Sequence, residues 1–278
     1  MTLHPPSHVI DGFGAIGAPE PAGPAWDDGL RYGDVVLSRV ADAPVAAWSA
    51  KVRSALPAGG VAAVRSHRTS DGRHVLAGWQ ARQWAPGAPA RRFDEAVVAA
   101  IALEEALAGL QRPRFLSAGR GDVFFVCDRA AWADDPVAEL GRVLDPDSVP
   151  GQDAAAALSA AAPLIELRRP VDAPDRPAHG DPLATMLFDG SATPVVTDIV
   201  PRWRPAGWTP ALVVADALAF GGADDGLPGR FAHLPHWDQL LLRAVLYRLF
   251  VHAAHPEARP TAWPGLSRAA GIVRGVAE

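Results

Sequence analysis

The chain has 278 residues, of which 49% are hydrophobic, and this is enough apolar material for one large domain or for two lobes that share a cleft. Its 26 glycines and 27 prolines follow no period, which excludes collagen-like and linker-type sequences. The formal charge of -5 is mild and the basic residues are scattered, so neither a nucleic acid nor an anionic membrane surface is indicated as a partner.

The first third of the chain alternates short strand patterns with turns. Residues 34–37 predict one strand, and two more strands are predicted at residues 61–64 and 74–77, on either side of a turn at 70–72. We expect these strands to form an antiparallel sheet. Residues 45–56 predict one helix between them. Its apolar stripe is formed by Val45, Trp48, Val52 and Leu56.

Helical patterns dominate after residue 87. The longest covers residues 93–110, with Asp94 and Glu95 near its start, where a helix favours negative charge. Further helices are predicted over residues 136–143, 153–164, 210–220, 237–254 and 266–276. Residues 185–188 and 195–196 instead predict a hairpin set among these helices, with a turn at Asp189 and Gly190.

This order of elements is typical of the protein-kinase-like fold, an α+β architecture with two lobes. We expect a β-rich N-terminal lobe over residues 1–87, including a short hinge at 84–87. A mostly helical C-terminal lobe is expected over residues 88–278. Many α+β chains share such a layout, so the functional hypothesis depends on local motifs.

The strongest motif is His179-Gly180-Asp181, followed by the predicted hairpin that ends at Asp198. A hairpin of this length brings its two ends together, so both aspartates can face one cleft. The motif resembles the catalytic hairpin of aminoglycoside phosphotransferases, choline kinases and homoserine kinases. That resemblance implies that Asp181 orients the acceptor hydroxyl as the base, that Asp198 holds Mg²⁺, and that His179 shapes the catalytic loop.

The resemblance extends over roughly residues 9–254. Gln83 and Trp84 stand where the family's hinge would hold the adenine of ATP, and Asp216 matches an aspartate that braces the catalytic loop. Residues 198–205 and 73–79 are similar to an actinobacterial branch of the superfamily. ATP and Mg²⁺ are therefore the cofactors that the resemblance implies.

Several positions depart from the family pattern. Ser38 stands where a strand lysine would hold the phosphates, and the helix over 45–56 has no glutamate to pair with one. Arg39 or Lys51, the only lysine in the chain, would have to replace that cation. Arg39 is on the opposite strand face from Ser38, and Lys51 either reaches the cleft or covers the helix flank.

Two further departures concern the metal and the phosphates. Thr185 stands where an asparagine would be the second metal ligand, and a hydroxyl is a poorer ligand for a hard cation. The expected phosphate-covering loop, residues 22–29, carries Asp27 and Asp28 instead of a glycine-rich run. These acids would repel a triphosphate unless they contact a cation, and a solvated turn is the other interpretation.

Two functions follow from these motifs. The first is ATP-dependent phosphorylation of a small-molecule hydroxyl, with Asp181 as base and Asp198 on Mg²⁺. The alternative is a degenerate, pseudokinase-like binding or regulatory protein with weak or no phosphotransfer. Retention of both aspartates favours the enzyme, whereas the joint loss of lysine, glutamate, asparagine and glycine-rich loop favours the binding protein.

The compartment and partners are predicted from simpler features. The single cysteine, Cys127, excludes an internal disulfide, and no stretch reaches the ~20 apolar residues that a membrane-spanning helix needs. We therefore expect a cytoplasmic protein with a small-molecule acceptor and neither nucleic-acid nor membrane partners. The histidine pairs 233/236 and 252/255 have metal-compatible spacing, but no cysteine or third acidic ligand lies at a diagnostic distance.

Overall fold

The computed structural model describes residues 4–117, 121–144 and 153–278. The chain forms two compact units, one of residues 1–111 with 177–202 and one of residues 112–176 with 203–278. The first contains an antiparallel sheet and the second is mostly helical, which confirms the predicted α+β class. The division of the sequence into lobes at residue 87 stays a prediction.

Helices are spread along the described residues and vary widely in length. In chain order they are α1 (Ser7–Gly12), α2 (Ala43–Ala55), α3 (Phe93–Leu107), α4 (Arg114–Ser117), α5 (Val123–Trp132), α6 (Pro136–Leu140), α7 (Ala154–Glu166), α8 (Pro182–Thr185), α9 (Trp208–Asp216), α10 (Leu227–Arg230), α11 (Trp237–Ala254) and α12 (Trp263–Ala277). A π-helix, Ala217–Gly221, continues α9, and 3₁₀ turns lie at Pro24–Trp26 and Pro260–Ala262.

The strands are short. They are β1 (Glu20–Gly23), β2 (Gly29–Tyr32), β3 (Val35–Arg39), β4 (Ala62–Ala63), β5 (Ser66–His67), β6 (Val75–Leu76), β7 (Trp79–Gln83), β8 (Asp175–His179), β9 (Met186–Leu187), β10 (Val195–Val196) and β11 (Pro201–Pro205). The main sheet has the order β1-β2-β3-β7-β5, with β6 also paired to β7. Strands β8 and β11 pair with each other.

The register of β3 and β7 decides which side chains reach each face of the main sheet. Ser38 lies opposite Gln80 and Val36 lies opposite Arg82. Because side chains alternate along a strand, these four share one face, and Arg39 lies on the other. That other face is covered by α1, whose Val9 packs with residues of β2, β3 and β7. This helix was not predicted from the sequence.

The strand prediction for residues 61–64 was right in place, but the predicted antiparallel sheet with residues 74–77 was wrong. Strand β4 pairs in parallel with β10, and β10 pairs antiparallel with β9, so β4 joins the predicted hairpin. Strand β6 pairs with β7 instead. Apolar packing favours this pairing, because Val64 is buried in one cluster with Leu187 of the hairpin.

The mostly helical unit is built around α11. This helix is buried along almost its whole length, since apolar residues lie on all its sides, and it packs against α5, α7, α9 and α12. Helix α5, which the sequence pattern did not predict, is capped at its N-terminus by Asp122, whose carboxylate accepts a hydrogen bond from the Phe125 N–H. Within the described ranges, no helix is both long and apolar enough to cross a bilayer.

Candidate functional site

The predicted catalytic loop is organised by a buried histidine. The backbone N–H groups of Asp181 and Val200 both donate to Nδ1 of His179, at 3.3 and 3.1 Å. Nδ1 is therefore an acceptor, and the ring proton lies on Nε2, which donates to Oγ1 of Thr185 at 2.8 Å. The ring ties the start of the hairpin to the segment that follows its end.

His179 is fully buried, and this fixes its charge. Burial lowers the pKa of His179 to about 4, although the negative charges of Asp181 and Asp198 act in the opposite direction. The imidazole is consequently neutral at pH 7 and serves as a structural link between Asp181 and Val200. Its neighbours agree with the predicted loop-shaping role, while the catalytic role of Asp181 stays a prediction.

Thr185, the predicted second metal ligand, is engaged within the same loop. Its hydroxyl lies 3.2 Å from the carbonyl oxygen of Asp181 and 3.3 Å from that of Pro182, in addition to its contact with His179. A hydroxyl that accepts from an imidazole N–H and donates to a carbonyl has little capacity left for a cation. The arrangement gives Thr185 a role in holding α8 and the loop.

The carboxylate of Asp198 is surrounded by donors from its own chain. Oδ1 accepts hydrogen bonds from the hydroxyl of Ser49 and from the backbone N–H of Ile199, the latter at 2.8 Å. Oδ2 lies 3.5 Å from Nε2 of Gln80. The side chain is 17% exposed, so these protein groups replace most of its hydration.

Two buried guanidinium groups, the arginine pair Arg53 and Arg82, complete this environment. Nε of Arg53 lies 3.5 Å from Oδ1 of Asp198, and Nη1 of Arg82 lies 3.7 Å from Oδ2. Both arginine side chains have no exposed surface. Burial alone would raise the pKa of Asp198, but Arg53, Arg82 and the Ser49 and Ile199 hydrogen bonds together hold it below its ordinary value.

Each member of the arginine pair is fixed by further contacts. Nη1 of Arg53 donates to the carbonyl of Val64 at 3.0 Å. Nη2 of Arg82 donates to the carbonyl of Trp26 at 2.9 Å and to the hydroxyl of Ser38 at 2.8 Å. Burial lowers the pKa of Arg53 to about 10, which still leaves it cationic at pH 7. The pair is therefore a fixed positive charge beside Asp198.

Asp27 adds a second carboxylate to this group. Its Oδ2 lies 2.7 Å from Nη2 of Arg82, so this acid of the predicted phosphate loop contacts a cation of the chain itself. Two aspartates and two arginines make the cluster electrically neutral. Burial and the nearby charge of Asp198 raise the pKa of Asp27, and Arg82 opposes them.

The predicted replacements for the strand lysine lie elsewhere. The guanidinium of Arg39 stacks on Trp79 at 5.5 Å, on the face away from Ser38. Lys51 is exposed on α2, where its charge acts on His74. Among the described residues, the cations that contact Asp198 are Arg53 and Arg82. The nucleotide-binding roles of Arg39 and Lys51 gain no support from these positions.

The helix face predicted for α2 explains why Arg53 was missed. Val45 and Trp48 are only half-buried, and the fully buried positions include Ala46, Ser49 and Arg53. Small residues allow α2 to approach its neighbours closely, and the long arginine then reaches Asp198. Arg82 could have been found from the alternation in Trp79–Gln83, where polar Gln80 and Arg82 alternate with apolar Trp79 and Ala81.

The predicted hinge residues lie beside a tryptophan from the phosphate-loop segment. The rings of Trp84 and Trp26 stack with centroids 5.0 Å apart and an interplanar angle of 23°. Trp26 is 1% exposed and packs in one core with Val36 and Leu187. Gln83 donates to the carboxylate of Asp34 at 3.2 Å. An indole of this chain thus fills the apolar space next to the hinge.

Metal-binding groups are sparse. In the described part of the chain, no group of three or more histidine, cysteine, aspartate or glutamate side chains is placed to hold a metal ion. Asp216, in the helical unit, forms a two-point ion pair with Arg248 at 2.6 Å, and it is 5% exposed. These contacts agree with a structural role for Asp216 and do not test the predicted bracing of the catalytic loop.

Solved structures with the same fold support the resemblance. An aminoglycoside phosphotransferase from Alicyclobacillus acidocaldarius is 16% identical, with 99% of this chain and 95% of that chain covered and a TM-score of 0.59. A choline/ethanolamine kinase family protein from Mesorhizobium loti is 14% identical, with 94% of both chains covered and a TM-score of 0.54.

A spectinomycin phosphotransferase solved with ADP and spectinomycin is 7% identical, with 88% of this chain and 87% of that chain covered and a TM-score of 0.51. By sequence, the chain matches no family model and no curated protein. The predicted fold of the aminoglycoside phosphotransferase and choline kinase superfamily is thereby confirmed as a fold.

Proposed function

We propose that this chain is a phosphotransferase-like protein that acts as a pseudokinase-type binding protein, with weak or no phosphotransfer. The observation that carries the proposal is the neutralisation of Asp198 by the arginine pair, Arg53 and Arg82. Asp198 is the position at which the family resemblance expects a magnesium ion. Here, positive charges of the protein itself take up that role.

Electrostatics favours this interpretation over a magnesium site. A divalent ion about 4 Å from one guanidinium would be repelled by roughly 8 kcal/mol at an effective dielectric constant of 20, which cancels its attraction to one carboxylate at the same distance. Mg²⁺ also requires near-octahedral oxygen ligation, and the oxygen of Thr185 is already engaged by His179. Arg53 cannot easily withdraw, since its side chain is buried and bonded to Val64 and Ser49.

The position of Trp26 also supports the proposal, because it bears on how a nucleotide could bind. The fold suggests an adenine nucleotide as ligand, because the spectinomycin phosphotransferase of this fold was solved with ADP. In this chain, the buried indole of Trp26 stacks on Trp84 of the predicted hinge. A base entering beside Trp84 would have to displace Trp26 and lose that contact. We therefore expect nucleotide binding to be weak and independent of a metal ion.

The enzyme remains a second candidate because the catalytic loop is retained. His179 holds Asp181 and Val200 together, as an acceptor-orienting loop would require. Under this candidate, Asp181 is the base for a small-molecule hydroxyl, and Mg²⁺ must displace the arginine pair from Asp198. The acceptor class, the cytoplasmic location and the absence of nucleic-acid partners are proposals under either candidate.

Thermal denaturation with nucleotide distinguishes the two candidates. The protein is heated with ATP alone, with Mg²⁺ alone and with both, and an active aminoglycoside phosphotransferase is measured in parallel with the same reagents. We expect no melting-temperature increase that requires Mg²⁺ and ATP together. A ligand at 100 times its dissociation constant would add ~2.7 kcal/mol to the stability, which such a scan detects readily.

A Mg²⁺-dependent increase that disappears in an Asp198→Asn variant would contradict the proposal and support the enzyme. Turnover of ATP that disappears in Asp181→Asn would do so independently, because that substitution leaves the Asp198 cluster in place.

A further inference from the structure

The helical unit contains a cavity that the kinase resemblance does not assign. Its volume is about 300 Å³, and it opens where the end of α11 meets the π-helix and the starts of α5 and α12. Phe124, Phe220 and Leu266 supply much of its apolar wall, and His252, His255 and Arg259 supply polar groups. Pockets of mainly apolar lining with a few placed polar groups are typical ligand sites.

One wall of this cavity is held rigidly. A Cβ on Gly265 of α12 would lie 1.8 Å from the carbonyl oxygen of Ala219, so α12 contacts the π-helix backbone directly. Arg268 donates to the carbonyls of Leu218 at 3.1 Å and Ala223 at 2.7 Å. Single π-turns are uncommon and often lie at functional sites. This one fixes the backbone that carries Phe220.

The aromatic residues at the rim face solvent. Phe220 is 54% exposed and Phe124 is 41% exposed, although both are large apolar side chains. The ring of Phe124 also lies 5.2 Å from that of His255. Two exposed rings at the mouth of one cavity offer stacking surfaces for a planar molecule.

His252 supplies a polar group to the wall of the cavity. It is 7% exposed and stacks on Trp263, and in the part of the chain that the structure describes its ring nitrogens make no hydrogen bond. Burial lowers its pKa, although the charge of Asp153 opposes this, so the ring is neutral at pH 7. The ring nitrogens are not among the fully buried side-chain atoms, so they are open to the cavity and can bond to a ligand there.

The other polar side chains of the cavity lining are mainly hydrogen-bond donors. Nδ1 of His255 accepts from the backbone N–H of Glu257 at 3.1 Å, which leaves its Nε2–H as a donor. The guanidinium of Arg259 pairs with no carboxylate among the described residues, whereas Arg248 is already bound to Asp216. Glu257 is the acidic side chain of the lining, and it is exposed.

From this arrangement we propose that the cavity binds a small aromatic carboxylate. The ring of the ligand lies against Phe124, Phe220 and Leu266. Its carboxylate accepts hydrogen bonds from Arg259, from the Nε2–H of His255 and from the ring N–H of His252. The site lies wholly within the helical unit and does not depend on nucleotide binding.

Phenylacetate is a suitable probe because it combines one ring with one carboxylate. Binding is followed by two-dimensional NMR of the full-length labelled protein, with benzyl alcohol and benzylamine as neutral and cationic controls of matched size. For a ligand of about ten heavy atoms we expect a dissociation constant on the order of 1 mM. Benzyl alcohol and benzylamine should bind at least ~5-fold more weakly.

Three variants locate the site. Phe220→Ala removes an exposed ring and is expected to weaken phenylacetate binding about 5-fold. His252→Phe keeps the stacking on Trp263 but removes the ring nitrogens, and it should weaken phenylacetate binding about 10-fold. Val137→Ala alters another exposed apolar residue, outside the cavity, and should have no effect.

Three results would overturn the proposal. No saturable shifts up to phenylacetate concentrations on the order of 10 mM, equal or tighter binding of benzylamine, or unchanged binding in both Phe220→Ala and His252→Phe would contradict it.

Discussion

Replacing Arg53 by methionine is expected to lower the free energy of unfolding by about 3–5 kcal/mol. Arg53 is 2% exposed and lies 3.5 Å from the carboxylate of Asp198. Methionine fills a similar volume but removes the charge, so Asp198 remains buried with only part of its compensation. Urea denaturation followed by tryptophan fluorescence measures the loss.

Lys51→Met is the matched control for this prediction. It removes a positive charge two positions earlier on α2, from a side chain that is exposed. Its effect should stay within about 0.5 kcal/mol. If the two variants lose similar stability, the arginine pair does not neutralise Asp198 as proposed. The double variant Arg53→Met with Asp198→Asn should lose less than the sum of the two single variants, because both charges are then absent.

Gly265→Ala is expected to destabilise the helical unit by roughly 3 kcal/mol, because the added Cβ would meet the carbonyl oxygen of Ala219 at 1.8 Å. The contact is with backbone, so α12 and the π-helix must separate. The loss is measured by urea denaturation followed by circular dichroism.

Gly271→Ala supplies the control on the same helix. No atom lies within 4 Å of a Cβ built there, so alanine adds helix propensity without a clash. We expect a gain of about 0.5–1 kcal/mol. A Gly265→Ala variant as stable as Gly271→Ala would show that α12 does not approach the π-helix as closely as the structure describes.

The fold was largely predictable because its motifs occur in order. The helix Trp237–Ala254 was predicted with its exact bounds, since a long apolar segment between polar ends admits few alternatives. The hairpin of β9 and β10 was predicted from its turn at Asp189 and Gly190. Helix α1 was missed because six residues after a proline carry little periodicity.

The candidate site was predictable only in part. His179 and Asp198 were identified from a local motif. The hairpin brings them close enough for the charge of Asp198 to act on the imidazole of His179. Arg53 and Arg82 were not identified, because an arginine on an amphipathic helix or a short strand normally faces solvent. Their burial depends on contacts between residues that are far apart in sequence. Ser49 bonds to Asp198, 149 positions away, and Arg82 bonds to Thr197, 115 positions away.

The central claim is that the protein's own arginines take the place of a metal ion at Asp198. The most direct test is a crystal structure of the protein with Mn²⁺ and a non-hydrolysable ATP analogue, in which anomalous scattering locates the manganese. We predict no manganese peak at the Asp198 carboxylate and retention of its contacts with Arg53 and Arg82. A manganese ion bound directly to Asp198, with either arginine displaced, would contradict the account.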